Sequence, residues 1–230
     1  RVRVPDGVRF ASRDGAAVTT IAGGTNLRCV YLRDGAIVSG FTLSGGKAVV
    51  RTDIARESAA LSDDKGGGVY GGTVTNCLIV GNRCAAYGGG GAGSAVFQNS
   101  LVKNNESGNA GGGFHSCSGY NSRFEGNRAQ GDGGGCYTAT LYDCEVVDNV
   151  GGLDGKSHNG GGVFGGAVIS NCLIVGNSNI QGGGVSGNAD KTTGEKTSTF
   201  YDCIISNNFA SGFGGGSYRV VLRGGKVVCN

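Results

Sequence analysis

The chain is built from a repeated segment whose clearest copy is GGGVYGGTVTNCLIVGN, residues 66–82. Each copy opens on three glycines and closes on an asparagine, and successive triplets are 23, 22, 22, 27, 22 and 32 residues apart. The triplets begin at Gly66, Gly89, Gly111, Gly133, Gly160, Gly182 and Gly214. The closing asparagines are Asn82, Asn105, Asn127, Asn149, Asn177, Asn208 and Asn230. A repeat of this length is typical of a solenoid, in which each copy forms one coil and stacks on the next.

A second polar residue lies six residues before each closing asparagine. It is Asn76, Asn99, Asn121, Asp143, Asn171 or Asp202, and in the last copy Gly224 takes the place. Between the two polar positions, small or apolar residues alternate with residues that include every charge of the segment. Cys77 and Ile79, for example, alternate with Leu78 and Val80. This period of two predicts a strand with one buried face.

Two further strands complete each predicted coil. One follows the glycine triplet and buries the residue equivalent to Val69, and the other buries the residue equivalent to Val74. Glycine and asparagine form the corners between strands, because both tolerate backbone conformations with positive φ. The sequence therefore predicts an all-β fold, a right-handed parallel β-helix of about nine coils with three short strands per coil. The closing asparagines would form a ladder that hydrogen bonds along the stack.

The whole chain, residues 1–230, is predicted to be a single domain. Residues 1–46 lack the triplet but form the initial coils, and residues 66–230 hold the seven repeats. Residues 47–65, 150–159 and 187–198 interrupt the rhythm with polar or mixed sequence, and they are predicted to be loops that leave the stack.

Composition excludes several classes of protein. Of the 230 residues 49 are Gly, yet no Gly-X-Y period occurs, so collagen is excluded. The net charge of +3 comes without a basic run, which argues against nucleic acid as a partner. No apolar run is long enough for a membrane helix, so membrane insertion is not expected. The chain shows no signal peptide and does not begin with Met, so we expect a processed chain or a fragment.

Four of the nine cysteines occupy one position of the repeat, namely Cys77, Cys144, Cys172 and Cys203. Serine fills the same position in two other copies, at Ser100 and Ser122. A place that accepts either residue predicts a small inward-facing site. The sequence leaves two readings open, which are buried free thiols and disulfides between neighbouring coils. No CxxC pair occurs, which argues against a zinc site.

The segments GGGV, GGGF and FEGN (Phe124 to Asn127) resemble the GGAI and FxxN repeats of polymorphic outer-membrane proteins, the adhesive passenger domains of bacterial autotransporters. More widely, residues 27–230 resemble pectin-lyase-like right-handed β-helices of bacterial surfaces. The resemblance implies an extracellular or cell-surface location and an adhesive or structural role. The triplet is GGG here rather than GGA.

One aromatic stripe is the candidate binding site. The outward position after each triplet strand carries a ring in five coils: Tyr70, His115, Tyr137, Phe164 and Tyr218. Such a line of rings could stack sugar rings, or it could be a packing or subunit contact. Lys103 with Glu125 and Arg123 with Glu145 share outward positions on adjacent coils, so we expect lateral ion pairs. The sequence predicts no catalytic residue, no metal ligand and no cofactor.

The leading hypothesis for function is an extracellular structural or adhesive β-solenoid whose copies stack head to tail into a filament. The alternative is a carbohydrate-binding or polysaccharide-degrading β-helix protein, in which glycans would be the partners. The outward face of the strand between the polar positions is also apolar at Leu78, Val80, Leu173, Val175 and Ile204. We expect a loop or another chain to cover part of this patch.

Overall fold

The computed structural model describes residues 1–49, 64–85, 88–166, 168–188 and 198–230. Within those ranges the chain forms strands and turns, and no helix is present. Strands one repeat apart pair in parallel, so that Ile79 lies beside Leu43 of the preceding coil and Val102 of the following coil. The chain is therefore an all-β parallel solenoid. Most of the predicted loops at 47–65 and 187–198 lies outside the described residues.

One sheet has nine strands, formed by the segments between the two polar positions. They are Thr20–Ala22, Thr42–Ser44, Leu78–Val80, Leu101–Lys103, Arg123–Glu125, Glu145–Val147, Leu173–Val175, Ile204–Ser206 and Lys226–Val228. In the seven strands between the first and the last, the middle side chain has no exposed surface. The predicted alternation is confirmed except at Val147, which was expected to face outward but is only 7% exposed. Glu125 and Val175 lie beside Val147 on the two neighbouring strands and flank it.

A second sheet has sixteen strands arranged in two rows. The first row contains Val2–Val4, Val30–Leu32, Val69–Tyr70, Ala92–Gly93, Val163–Phe164, Val185–Ser186 and Ser217–Tyr218. The second row contains Arg9–Ala11, Ile37–Ser39, Thr73–Thr75, Val96–Gln98, Val168–Ser170, Thr199–Tyr201 and Val221–Arg223. Two longer strands, Phe114–Tyr120 and Cys136–Tyr142, run through both rows and join them. The expected inward residues of both rows are buried except Ser217 and Leu222 in the last coil.

A further row of short strands follows the closing asparagines, and the sequence did not predict it. Four of its strands pair as one sheet: Lys47–Ala48, Arg83–Cys84, Glu106–Ser107 and Arg128–Ala129. Two others form a separate pair, Ser178–Gln181 with Phe209–Phe213. Most of these strands have only two residues, which is too short to produce a period that sequence analysis can detect.

The second polar position is a corner with a left-handed backbone. Its φ is 52° at Asn76, 49° at Asn99 and 46° at Asn121, and similar values recur at Asp143, Asn171 and Asp202. Gly224 takes φ 71° at the same place, so the glycine there obeys the same constraint as the asparagines. Asn, Asp and Gly are the residues that adopt this conformation at low cost. The position six residues before each closing asparagine therefore turns the chain into the nine-stranded sheet.

The closing asparagines hydrogen bond to one another in the interior. The backbone N–H and the side-chain Nδ2 of Asn105 both donate to Oδ1 of Asn127, each at 3.0 Å. The same Nδ2 also donates to the Ile79 carbonyl. These three bonds recur at Asn82, Asn127, Asn149, Asn177 and Asn208. None of these asparagines has a positive φ; the residue just before each one takes it instead, as Gly81 does before Asn82.

The glycine triplet and the closing asparagine fit together. A Cβ on Gly68 would lie 2.9 Å from Nδ2 of Asn82 and 2.7 Å from the Gly91 carbonyl. The first glycine of the triplet, Gly66, has φ 64°, and a Cβ on the second would meet a carbonyl at 2.2 Å. Each of the three positions thus excludes a side chain for its own reason. At the third glycine, the space that a side chain would fill is occupied by the amide of the closing asparagine.

The shared Cys and Ser position forms a second hydrogen-bonded column. Ser100 Oγ accepts the backbone N–H of Cys77 at 3.2 Å, and Ser122 Oγ accepts that of Ser100 at 3.2 Å. Each thiol or hydroxyl also donates to the carbonyl two residues earlier, as Ser122 does to Tyr120 at 2.8 Å. In the six coils from Cys77 to Cys203 this place is filled by a small side chain that both donates and accepts a hydrogen bond, which Cys and Ser share. All nine cysteines are free, and only Cys229 is exposed, so the buried-thiol reading describes the structure.

Candidate functional site

The five predicted stripe residues all lie in strands of the sixteen-stranded sheet, but they do not form one continuous stack. His115 stacks on Tyr137 with ring centroids 4.8 Å apart, and Tyr137 contacts Phe164 at 5.4 Å. Tyr70 stacks instead on Tyr31, and Tyr218 on Phe213. Gly93 stands between Tyr70 and His115, and Ser186 between Phe164 and Tyr218. The structure therefore brings together only the middle three rings.

The middle stack is half-buried, which limits what it can bind. Phe164 is 7% exposed, although an outward position was expected for it, and the Tyr137 ring lies against it. Burial and the positive charge of Lys65 lower the pKa of His115. Burial and the negative charge of Asp132 raise the pKa of Tyr137. At neutral pH both rings are therefore uncharged, and the stack behaves mainly as a packing contact between coils.

The Tyr31–Tyr70 pair is engaged by a buried arginine. The Arg28 guanidinium lies 5.1 Å from the Tyr70 ring centre and 5.9 Å from the Tyr31 ring centre, and Arg28 is only 2% exposed. Arg1 also lies over Tyr31, at 6.0 Å. These are cation–π distances, and such contacts are stronger when the cation is desolvated. The face of Tyr70 is therefore already occupied by part of the chain.

A groove lies at the corner between the second row and the nine-stranded sheet, and we call it the corner groove. Its volume is about 730 Å³, and it is broadly open to solvent. One wall carries the exposed side chains of the left-handed corner residues, and the other carries outward residues of the nine-stranded sheet. The lining residues are Ala16, Asn76, Cys77, Leu78, Asn99, Ser100, Leu101, Asn121, Ser122, Arg123, Asp143 and Glu145.

The chemistry of the corner groove changes along its length. In the coils of Asn76 and Asn99 it offers amides beside the aliphatic side chains of Leu78 and Leu101. At the other end Arg123 forms ion pairs with Glu145 on the next coil and with Glu125 in its own strand, the latter at 2.7 Å. The hydrogen bond from Arg123 lowers the pKa of Glu125. The predicted lateral pair of Arg123 and Glu145 is thus confirmed, whereas Glu125 bonds to Arg123 rather than to Lys103.

A second aromatic stack, absent from the sequence analysis, borders the corner groove. The Tyr120 and Tyr142 rings lie 5.4 Å apart with planes 9° from parallel, and Tyr120 is 37% exposed. Each tyrosine directly precedes a corner residue that lines the groove, Asn121 or Asp143. The available signal was that Tyr recurs immediately before the corner residue, at Tyr120, Tyr142 and Tyr201. The two rings therefore lie next to the groove wall along the chain, although neither lines the groove itself.

The described part of the chain shows no group of three His, Cys, Asp or Glu side chains suited to a metal ion. Nor does it contain a helix long and apolar enough to cross a membrane. His158 lies 2.9 Å from Asp154 and 3.7 Å from Asp132, in the loop that the sequence predicted at 150–159.

Comparison with protein-family models, with curated proteins and with solved structures finds no match to this chain.

Proposed function

We propose that the chain is a structural or adhesive element, a right-handed β-helix of nine coils with Gly corners and an asparagine ladder. The observation that carries the proposal is the unbroken series of amide bonds from Asn82 to Asn230, in which every member donates to the next. Such a series couples each coil to its neighbours and resists bending. We place this element outside the cell or on a bacterial surface, where a stiff spacer presents binding surfaces at a distance.

Self-association is part of the proposal. An end coil of a parallel solenoid carries strand groups that pair with another coil, whether that coil belongs to a second copy or to more of the same chain. Head-to-tail contact between copies does not close on itself, and it therefore yields a filament. In the strand Lys226–Val228, Val227 continues the column of inward residues above Ile205 and is 44% exposed.

Electron microscopy and sedimentation at micromolar concentration test this proposal. We expect rods about 43 Å long, from nine strands spaced 4.8 Å apart, that join end to end. The variant Val227→Lys places a charge on the end coil and should abolish joining. The matched control Val18→Lys changes a valine that is 72% exposed and should leave joining intact. If the unmodified chain is present only as monomers at micromolar concentration, the proposal of a filament is wrong.

A second candidate function, glycan binding, is favoured by the corner groove. Saccharides are recognised by amides that hydrogen bond to hydroxyl groups and by rings that stack on their apolar faces. The coils of Asn76 and Asn99 supply amides beside the aliphatic side chains of Leu78 and Leu101. The Tyr120–Tyr142 stack lies in the two coils beyond them, next to the charged end. The uncharged walls in the coils of Asn76 and Asn99 favour a neutral saccharide over an acidic one.

Isothermal titration with a neutral glucan hexasaccharide tests this second candidate. Asn99→Gly removes a groove amide but keeps a residue that tolerates the φ of 49° found there. Asn104→Gly is the matched control, because Asn104 has φ 53° and lies outside the groove. We expect weaker binding in the first variant only. Equal affinity in both variants, or no binding by the unmodified chain, would remove the groove as a glycan site.

A further inference from the structure

Three free thiols lie on top of one another in successive coils. Cys144, Cys172 and Cys203 each directly precede a strand of the nine-stranded sheet. Those strands are neighbours, because Glu145 pairs with Leu173 and Leu173 pairs with Ile204. The three cysteines therefore occupy equivalent places about one strand spacing apart, about 4.8 Å. We call this set the thiol column.

The thiol column is held in place by backbone hydrogen bonds. The Cys172 sulfur accepts the Cys144 backbone N–H at 3.4 Å, which places the Cys172 side chain directly beside Cys144. Disulfides need Cα atoms roughly 4.4–6.8 Å apart, and the spacing of adjacent parallel strands falls in that range. A bond from Cys172 to either neighbour therefore requires side-chain rotation and little movement of the backbone.

Position distinguishes the middle thiol from the outer two, because only Cys172 has a cysteine at the equivalent place on both neighbouring strands. Thiolate is the reactive form of cysteine. Asp143 and Glu145, the residues on either side of Cys144, line the corner groove, so the groove brings a small oxidant next to the Cys144 end of the thiol column.

We propose that the thiol column is an oxidation site for peroxides, in which Cys172 forms a disulfide with Cys144 or with Cys203. In the first step the thiolate of an outer cysteine attacks a peroxide oxygen. The O–O bond breaks, the sulfur becomes a sulfenic acid, and the released hydroxide takes up a proton to give water. In the second step Cys172 attacks that sulfur and loses its proton, and the sulfenic oxygen leaves as a second water. Two thiols are oxidised and one peroxide is reduced.

The column permits only one disulfide per chain, because Cys172 is shared by both possible pairs. The third thiol stays free. Bond formation also removes two hydrogen bonds, the one that Cys172 donates to the Ser170 carbonyl and the one that its partner donates to the carbonyl of Tyr142 or Tyr201. The disulfide therefore competes with native interactions, and thiol reductants should reverse it readily. Its effect is to cross-link two adjacent coils around an insertion, at either 150–159 or 187–198.

Peptide mapping by mass spectrometry tests the proposal. The folded chain, in a Cys229→Asn background that removes the exposed thiol, is treated with hydrogen peroxide, alkylated and digested with trypsin. Asn is the residue at the equivalent places, Asn104 and Asn207, so this background should fold. Trypsin separates the three cysteines into the peptides 129–156, 157–191 and 197–219. We expect peptide 157–191 to be linked to one of the other two, with one thiol of the column still free.

Serine variants supply the controls, since Ser100 and Ser122 fill the same position in this chain. Cys172→Ser should abolish the disulfide, whereas Cys144→Ser and Cys203→Ser should each leave the remaining pair able to form. Cys136 shares a tryptic peptide with Cys144, and Cys136→Val, which copies Val163 of the next coil, should leave the linkage unchanged. Three free thiols after peroxide treatment, or a disulfide that survives Cys172→Ser, would overturn the proposal.

Discussion

At the residue scale, two kinds of polar side chain do different work in each coil. The corner residues such as Asn99 are exposed and are needed for a positive φ, while the closing residues such as Asn127 are fully buried and are needed for their amides. In the sequence both appear as asparagine at a fixed spacing. Replacing one kind should therefore strain the backbone, whereas replacing the other should leave donors and acceptors unpaired in the interior.

Asn127→Ala should lower the free energy of unfolding by about 1–3 kcal/mol, the cost of leaving buried polar groups without partners. The change removes the side-chain acceptor for Asn105, and it leaves the Val102 carbonyl and the Asn149 amide oxygen each without one donor. Urea denaturation gives the difference. The exposed Asn104→Gly is the control and should change stability by less than about 0.5 kcal/mol. Equal losses in both variants would contradict a buried role for the closing asparagine.

His115 should make stability depend on pH. Burial and Lys65 lower its pKa in the folded chain, so the unfolded chain binds more protons just below the ordinary value of about 6.5. Stability should therefore be fully present above that pH and fall as the solution is acidified, by at most about 1.4 kcal/mol per pH unit for one proton. His115→Phe, which copies Phe164 of the same stripe, should reduce the slope. Denaturation curves at several pH values measure the free energy of unfolding of both chains. If its dependence on pH is the same in His115→Phe as in the unmodified chain, the pH dependence does not come from His115.

At the scale of elements, the period of the sequence decided what could be predicted. The nine-stranded sheet was predicted because its strands alternate around a buried middle residue such as Ile79. The short row at Arg83–Cys84 was missed because two residues carry no period. The Tyr120–Tyr142 stack was missed because the second row was read only for its buried residue. The corner groove depends on side chains from several coils, and its depth could not be judged from one repeat.

Gly113→Ala should destabilise the chain by about 1–3 kcal/mol, the range for forcing an extra methyl into a packed interior. Its Cβ would lie 2.6 Å from the Gly135 carbonyl and 3.1 Å from Nδ2 of Asn127. The prediction concerns space rather than φ, because Gly113 has no positive φ. Gly24→Ala is the control, since nothing lies within 4 Å of its Cβ. Thermal melts that show equal stability for the two variants would mean that the asparagine amide does not need this space.

At the scale of the whole molecule, each coil contacts mainly the coils before and after it. Stability in such a chain is close to a sum of coil and interface terms, so cooperativity depends on the weakest interface. The middle of the chain carries its aromatic core: Phe124 packs edge-on against Phe97 and Phe114, with centroids 6.1 and 4.7 Å apart. Phe114 and Phe124 belong to one coil and Phe97 to the coil before it, so the rings join two adjacent coils near the middle of the solenoid.

Phe124→Ala should therefore do more than lower stability by about 3–5 kcal/mol, the usual cost of removing a buried ring. It removes the ring contact with Phe97 of the preceding coil together with the contact with Phe114 of its own coil, and the halves on either side should then unfold at different urea concentrations. Ile205→Ala is the matched control, because Ile205 is equally buried but stands far from the aromatic core. The Ile205→Ala variant should unfold in a single step, or only the coils around Ile205 should unfold early. Hydrogen exchange followed by mass spectrometry gives the order of unfolding for each segment. A single cooperative transition in Phe124→Ala, with the same protection lost in both halves, would mean that coupling along the stack is carried by the asparagine ladder rather than by the aromatic core.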